Sequence, residues 1–377
     1  MAAEILIVVL KAAIVLGALL HLAALTIWVE RKGSALIQDR IGANRAAIFG
    51  FDLAGIFNTL VADPVKALFK EDWVPKGTSQ FLHSMGPFLA AFPVLVSFAV
   101  VPFGPPIISG GKEIPLQLAT LDVGILYMFA MGSLAVYGVV LAGWVSNNKF
   151  SLFGSLRASA QMISYEITMG ISIVGLIAIY GSLALDEIVL QQGKVFRVLG
   201  LPIPAWGIFL NPIAFLVFFT SMMAETKRAP FDLPESESEI VAGYFTEYSG
   251  MKFLVYWLGE FAEVVVASTL VTLLFFGGWQ LPYFDIRSIP TNLWGYLPGF
   301  LGFLETWNFQ WAPLVGAMIF GAKVSFFCVL QVIIRWTLPR FRYDQLMNLC
   351  WKIMLPVSML NLVATVALLL GGFFSLE

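Results

Sequence analysis

Eight runs of predominantly apolar residues, each long enough to cross a bilayer, constrain this chain more than any other feature of its sequence. The hydrocarbon core is about 30 Å thick, and an α-helix rising about 1.5 Å per residue crosses it in roughly 20 residues. The runs lie near 5–29, 80–104, 118–144, 157–183, 207–226, 251–278, 312–336 and 353–373. Composition agrees, since 59% of residues are hydrophobic and 12% charged, where a soluble domain carries about a quarter charged residues. The expected fold is an all-α polytopic membrane protein of about eight transmembrane helices, forming one integral membrane domain over 1–377. The first run opens Met1-Ala2-Ala3-Glu4 without a basic leader and is roughly twice a signal-peptide apolar segment in length, so it is expected to be retained.

Cations distribute unevenly over the connections. Sixteen Lys and Arg fall in the loops after spans one, three, five and seven, and four in the loops after spans two, four and six. This asymmetry makes the odd loops cytoplasmic and places both termini on the opposite, periplasmic side of a bacterial inner membrane, or correspondingly in a mitochondrial inner membrane. A net charge of −2 offers no basic field for nucleic acid. Two cysteines and two histidines cannot furnish the usual four ligands of an iron–sulfur cluster or structural zinc site. Nor is there a glycine-rich nucleotide-binding signature. No flavin, cluster or metal is therefore expected on this chain.

The cytoplasmic loops, 30–79, 145–156, 227–250 and 337–352, hold the unusual sequence. In the first, Phe51, Leu53, Ile56, Phe57, Leu60 and Val61 recur at three- and four-residue steps opposite Asp52, Asn58, Thr59 and Asp63. That pattern predicts an amphipathic helix lying in the membrane surface, interrupted at Pro64 and resumed from Lys66 to Glu71. The loops 184–206 and 279–311 carry few charges and several prolines, and read as caps on the far face.

Ionisable residues inside spans cost roughly 2.5–3.5 kcal/mol each on insertion scales, so each calls for a partner, a proton or a wet cavity. Glu166 and Glu260 lie near the middle of spans four and six, and Lys323 within span seven. Glu263 follows Glu260 by three residues, so the two share a helix face and repel if both are ionised. A proton relay is one reading of these residues; a static ion pair such as Glu260 with Lys323 is the other. Lys11, near the outer end of span one, is expected to snorkel. Loop five adds Asp232, Glu235, Glu237 and Glu239 beside Glu225, Arg228 and Glu247, an acidic run on the cytoplasmic side.

Four segments carry a family resemblance: ERKGSALIQDRIGANR with ADPVKALFKED in loop one, WVSNNKFSLFGSLRASAQMISYE through loop three, ETKRAPFDLPESESEIVAGYFTEYSG in loop five and RWTLPRFRYDQLMNLCWK in loop seven. In these the chain resembles the H subunit, or chain 1, of respiratory complex I, the proton-pumping NADH:quinone oxidoreductase. The resemblance implies a membrane component that forms the entrance and tunnel for a quinone substrate, ubiquinone or menaquinone. It also implies docking of the hydrophilic quinone-reducing and iron–sulfur subunits, contact with small and antiporter-like membrane subunits, and no redox centre or catalytic residue on this chain. Carried over by motif, Glu30, Arg31, Arg40, Asp63, Lys66, Arg228, Phe231 and Asp232 match tunnel-lining or loop positions. Glu166, Glu225, Glu235, Glu237, Glu239, Glu247 and Glu260 match the carboxylates that link quinone chemistry to proton translocation. The chain departs from the family at Ala43, where GPNR is usual, and at Asn58, where Gln-Pro is common. A quinone-free anchor of a membrane-bound hydrogenase and a stand-alone ion antiporter are the alternative classes, which the subunit composition of a mildly purified complex would separate.

Overall fold

The computed structural model describes residues 2–44, 46, 47, 55–109, 112–198, 201–284, 286 and 311–373. Helices account for nearly all regular structure: α1 (Ala2–Ile37), α2 (Asp63–Phe69), α3 (Gln80–Ser97), α4 (Gly124–Val145), α5 (Lys149–Tyr180), α6 (Leu185–Gln192), α7 (Gly207–Leu210), α8 (Pro212–Glu225), α9 (Glu237–Ile240), α10 (Gly250–Phe275), α11 (Trp311–Thr337), α12 (Tyr343–Asn348) and α13 (Leu355–Leu370). Two small antiparallel hairpins, Ile107–Ser109 with Lys112–Ile114 and Val195–Val198 with Leu201–Pro204, sit in the even loops. Seven helical segments among the described residues are long and apolar enough to span, and the fifth expected span is the shorter α8.

Each departure from the expected boundaries has a local cause. Span five is broken at Asn211, whose side chain accepts from Ala214 N at 2.9 Å while Pro212 occupies the first turn of α8. Span four begins early because Asn148 caps α5 by accepting from Phe150 N. α1 is 36 residues long, about 54 Å of helix against a hydrocarbon core of about 30 Å, and carries Glu30 and Arg31 near its C-terminal end. The expected interruption at Pro64 does not occur. The chain runs through a π-helical turn, Asn58–Ala62, directly into α2, and the Asp63 N–H donates to the Asn58 carbonyl. A widened turn relieves the clash that a proline ring makes with the carbonyl four residues earlier in an ordinary helix. The helix then ends at Phe69, with Lys70 extended. Of the amphipathic stripe, Phe51, Asp52 and Leu53 lie outside the described residues.

α10 is the central helix, and 83% of its most apolar window is buried. Phe261, Val265, Val271 and Phe275 pack into one continuous core with Leu19 and Ile27 of α1, Ile173 of α5, Phe218 of α8 and Phe327 of α11. Lys323 does not reach Glu260. Its ammonium donates to the carbonyls of Phe276 (2.7 Å), Gly278 (2.9 Å) and Gln280 (2.6 Å), closing the C-terminal end of α10. Lys11 reaches outward to the Pro115 carbonyl at 2.8 Å.

Two glycines set the helix spacing around the site. A Cβ on Gly138 of α4 would lie 2.3 Å from Ala90 N of α3, and one on Gly154 of α5 would lie 2.6 Å from the Gly243 Cα of loop five. Gly138→Ala must therefore push α3 from α4, at a cost of about 1–3 kcal/mol for overpacking. A lowered thermal midpoint of the purified complex measures it; an unchanged midpoint would show that the two helices do not meet here.

Candidate functional site

Many of the described charged side chains of the loops after spans one, five and seven gather against α10 in three places. The outermost is a pair of cavities against α1, α2 and α10. One, of about 220 Å³, is walled by His21, Ile27, Asp63, Pro64, Trp257 and Leu258. The other, of about 290 Å³, is walled by Arg31, Asp63, Lys66, Tyr248, Phe253 and Trp257. Asp63, Leu254 and Trp257 line both, so the two adjoin. The Arg31 guanidinium pairs with Asp63 at 2.5 Å and stacks 5.1 Å from the centroid of Trp257. The pair is mainly apolar on the Ile27–Leu258 side and charged on the Arg31–Lys66 side.

Next inward lies a knot of buried charge. Arg228 sits 3.6 Å from Glu30 and 3.8 Å from Glu260, with its guanidinium carbon 4.0 Å from the centroid of Phe261. Glu30 is also paired with Arg335 at the end of α11. Tyr244 donates to Glu260 at 2.5 Å. Asp232 pairs with Arg340 at 2.8 Å, and Phe231 packs between Tyr165 and Phe341. Burial acts to lower the Arg228 pKa, but Glu30 and Glu260 outweigh it and hold the group above its usual value. Asp232 is raised because burial prevails over Arg340. Glu235 is raised well above the usual carboxylate range, first by burial and then by the adjacent Glu260. In the window between its unfolded and folded values the folded Glu235 holds a proton that the unfolded chain has released, so stability falls as pH rises through that window. Glu235→Gln should flatten that part of a pH–stability profile; an unaltered slope would remove Glu235 as its source.

The innermost feature is a cavity of about 60 Å³ bounded by α3, α4, α5, α8 and α10 and shared by three carboxylates, Glu166, Glu225 and Glu263. Ser133 donates to Glu166, and Lys227 pairs with Glu263 at 3.3 Å. Burial acts to lower Lys227, and Glu263 and Glu260 more than reverse it, so it is held above its usual value. The repulsion expected between Glu260 and Glu263 is answered by giving each its own cation, Arg228 and Lys227, from consecutive loop-five positions. Among the described residues no group of three His, Cys, Asp or Glu is placed to hold a metal ion.

This arrangement belongs to a chain that matches the NADH dehydrogenase family model over residues 10–366. It is 42% identical to the second H subunit of NADH-quinone oxidoreductase from Geobacter sulfurreducens, over 94% of each chain. The chain belongs to the H-subunit family of NADH-quinone oxidoreductase. Identity is 41% to the first H subunit of Cytophaga hutchinsonii, over 93% of each chain, and 40% to the H subunit of Bdellovibrio bacteriovorus, over 94% of each. These matches run nearly the whole length of the chain, and together with its spanning helices they make it a membrane member of that family.

The residues singled out from the sequence of this H-subunit family member divide among the three places. Arg31, Asp63 and Lys66 line the outer cavities; Glu30, Arg228, Phe231, Asp232, Glu235 and Glu260 form or border the knot; Glu166 and Glu225 line the inner cavity. Arg40 joins none of them and donates to Gln38 at 2.8 Å on the surface. Glu239 pairs with Arg157 at 2.5 Å, and Glu247 accepts from Asn148 at 2.8 Å, both tying loop five to the start of α5. The Glu237 side chain lies outside the described residues. Sequence reasoning missed Lys227, Tyr244, Arg335 and Arg340 as members of the site. The consecutive pair Lys227-Arg228 beside two carboxylates three residues apart was a usable signal, whereas Arg335 and Arg340 had none, lying a hundred or more residues from their partners.

Proposed function

We propose that this chain is the quinone-channel component of a proton-pumping NADH:quinone oxidoreductase, oriented with its odd loops and charged site at the cytoplasmic face. The observation supporting this reading is that the outer cavities, the charge knot and the carboxylate-lined cavity all lie against one central helix, α10. A quinone with a long apolar tail fits a passage walled by Ile27, Leu254, Trp257 and Leu258, and its polar head meets Arg31, Asp63 and Lys66 at the inner end. Its electrons come from a neighbouring hydrophilic subunit docked on loops 30–79, 145–156, 227–250 and 337–352. Reduction by two electrons and two protons alters charge inside a poorly solvated channel, where Coulomb interactions are stronger than in water. The Arg228 knot feels that change first. Glu260 and Glu263, one helical turn apart on α10, pass it to Glu225 and Glu166, whose cavity has room for about two waters. Antiporter-like and small membrane subunits would receive it beyond Glu166.

Glu166→Gln and Glu225→Gln test the inner half. In the assembled complex each should lower the rate of proton translocation by about 10²-fold, the low end of a general acid–base contribution. Wild-type proton-translocation rates in both variants would take them out of the path. Arg31→Ala tests the outer half through quinone KM and sensitivity to quinone-site inhibitors, and unchanged values for both would place the quinone elsewhere.

A further inference from the structure

The cavity of about 220 Å³ has two polar groups in its wall that no protein group answers. The first belongs to His21, which lies about 14 Å along α1 from Glu30 at about 1.5 Å per residue, at a depth where an ionisable side chain ordinarily marks a substrate or ion path. His21 is exposed, and its Nδ1 stands 2.6 Å from the Gly17 carbonyl. A carbonyl only accepts, so Nδ1 carries the ring proton and donates it; in the neutral imidazole Nε2 then holds an open lone pair. That Nε2 has no partner among the described residues. The second group is on Thr59, which is 5% exposed and whose hydroxyl is buried without a partner. A helical threonine commonly returns its hydroxyl to the carbonyl one turn back, as Thr26 does to Leu22 at 2.8 Å. Thr59 stands in the π-helical turn Asn58–Ala62 and leaves its hydroxyl free, and such turns are frequent at functional sites. Most of the remaining wall is apolar, and its one carboxylate, Asp63, is held by Arg31. A buried hydroxyl is ordinarily satisfied, so the occupant that fits is an apolar body carrying polar groups that can meet both points.

We propose that this cavity is a holding site for the reduced quinol, with His21 Nε2 and the Thr59 hydroxyl as the groups that recognise its head. The proposal rests on the reading of the outer cavities as the quinone passage and adds to it a preference between the two redox forms. An oxidised head presents carbonyl oxygens, which only accept; a reduced head presents hydroxyls, which donate as well as accept. Thr59 can donate to either form. His21 Nε2 has no proton to give, so it bonds a quinol hydroxyl and would leave a quinone carbonyl facing a lone pair. Quinol therefore makes two hydrogen bonds here and quinone one. The Gly17 carbonyl is the source of this selectivity, because it fixes the ring tautomer. Incoming quinone is not detained before it reaches Arg31, Asp63 and Lys66, whereas the product is held after leaving them and competes with the next quinone.

The test uses the purified assembled complex with one short-chain quinone and its quinol, and reads the quinone KM and the competitive Ki of the quinol from initial rates of NADH oxidation. His21→Leu is expected to raise the quinol Ki about fivefold, as for loss of one neutral hydrogen bond, with a smaller rise in quinone KM. His21→Gln offers an amide oxygen in place of Nε2 and should recover most of the quinol affinity. Thr59→Val should raise both constants by a similar factor, about threefold, since its hydroxyl serves both forms. His21 is exposed and the Thr59 hydroxyl has no protein partner, so neither change strands a group in the core. Equal rises of Ki and KM in His21→Leu, a quinol Ki that His21→Gln does not recover, or wild-type constants in both His21→Leu and Thr59→Val would overturn the holding site. If Arg31→Ala shifts the quinone KM while the His21 and Thr59 variants are normal, the holding site alone fails; if Arg31→Ala is also normal, the passage fails with it.

Discussion

Replacing Arg228 with methionine is expected to destabilise the protein by about 3–5 kcal/mol, the usual consequence of removing one partner from a buried ionic cluster. The geometry leaves no substitute. Arg228 stands between Glu30 and Glu260 at 3.6 and 3.8 Å; of the other two nearby cations, Arg335 pairs with Glu30 and Lys227 with Glu263. Methionine would fill the space over Phe261 yet leave the Glu260 carboxylate with hydrogen bonds from Tyr244 and Glu235 but no paired cation. The measurement is retention of this chain in the detergent-purified complex and its thermal midpoint. Glu260→Gln on the same background removes the stranded charge and should recover most of the loss, as expected for residues that share one network. Full stability of Arg228→Met alone would mean that the knot is solvated and that its distances carry no energetic weight.

Lys227→Met should have an effect of similar size for a related reason, with an additional backbone signature. Lys227 and Glu263 lie 3.3 Å apart with side chains 3% and 12% exposed, so the surviving carboxylate would be left in the wall of the inner cavity. Lys227 also adopts a left-handed backbone, φ +54°, a conformation that costs a non-glycine residue of order 1–3 kcal/mol. Lys227→Gly removes the charge and that cost together, and should therefore be less damaging than Lys227→Met by about that amount. Pairing either with Glu263→Gln should restore stability but not proton translocation. Equal stability of the methionine and glycine variants would show that the strain is not stored at this residue.

Much of the architecture was legible because bilayer crossing is a local property of the chain. Length and hydropathy fix a span without knowledge of its neighbours, and the runs near 80–104, 118–144, 251–278 and 312–336 became α3, α4, α10 and α11, with α3 ending at Ser97 and α4 starting at Gly124. Boundaries moved where a single side chain intervened, as at Asn148 and Asn211, or where a π-turn admitted Pro64. The candidate site was legible as a set of unusual residue types, not as a set of contacts. Glu260 was recognised as a buried acid, but its proposed partner Lys323 turned out to close the end of α10, and Arg228 took its place.

Spans, loops and the unequal distribution of cations were determined by the order of residues alone, since each depends on transfer of one segment between water and lipid. Which acids share a cavity was decided by tertiary structure. Glu30 meets Arg335 across 305 positions of chain, and Glu166 meets Glu225 and Glu263 only because separate helices cross at one depth. A buried charge is stabilised by whatever lies within a few ångströms of it, and that neighbourhood comes into being when the helices pack.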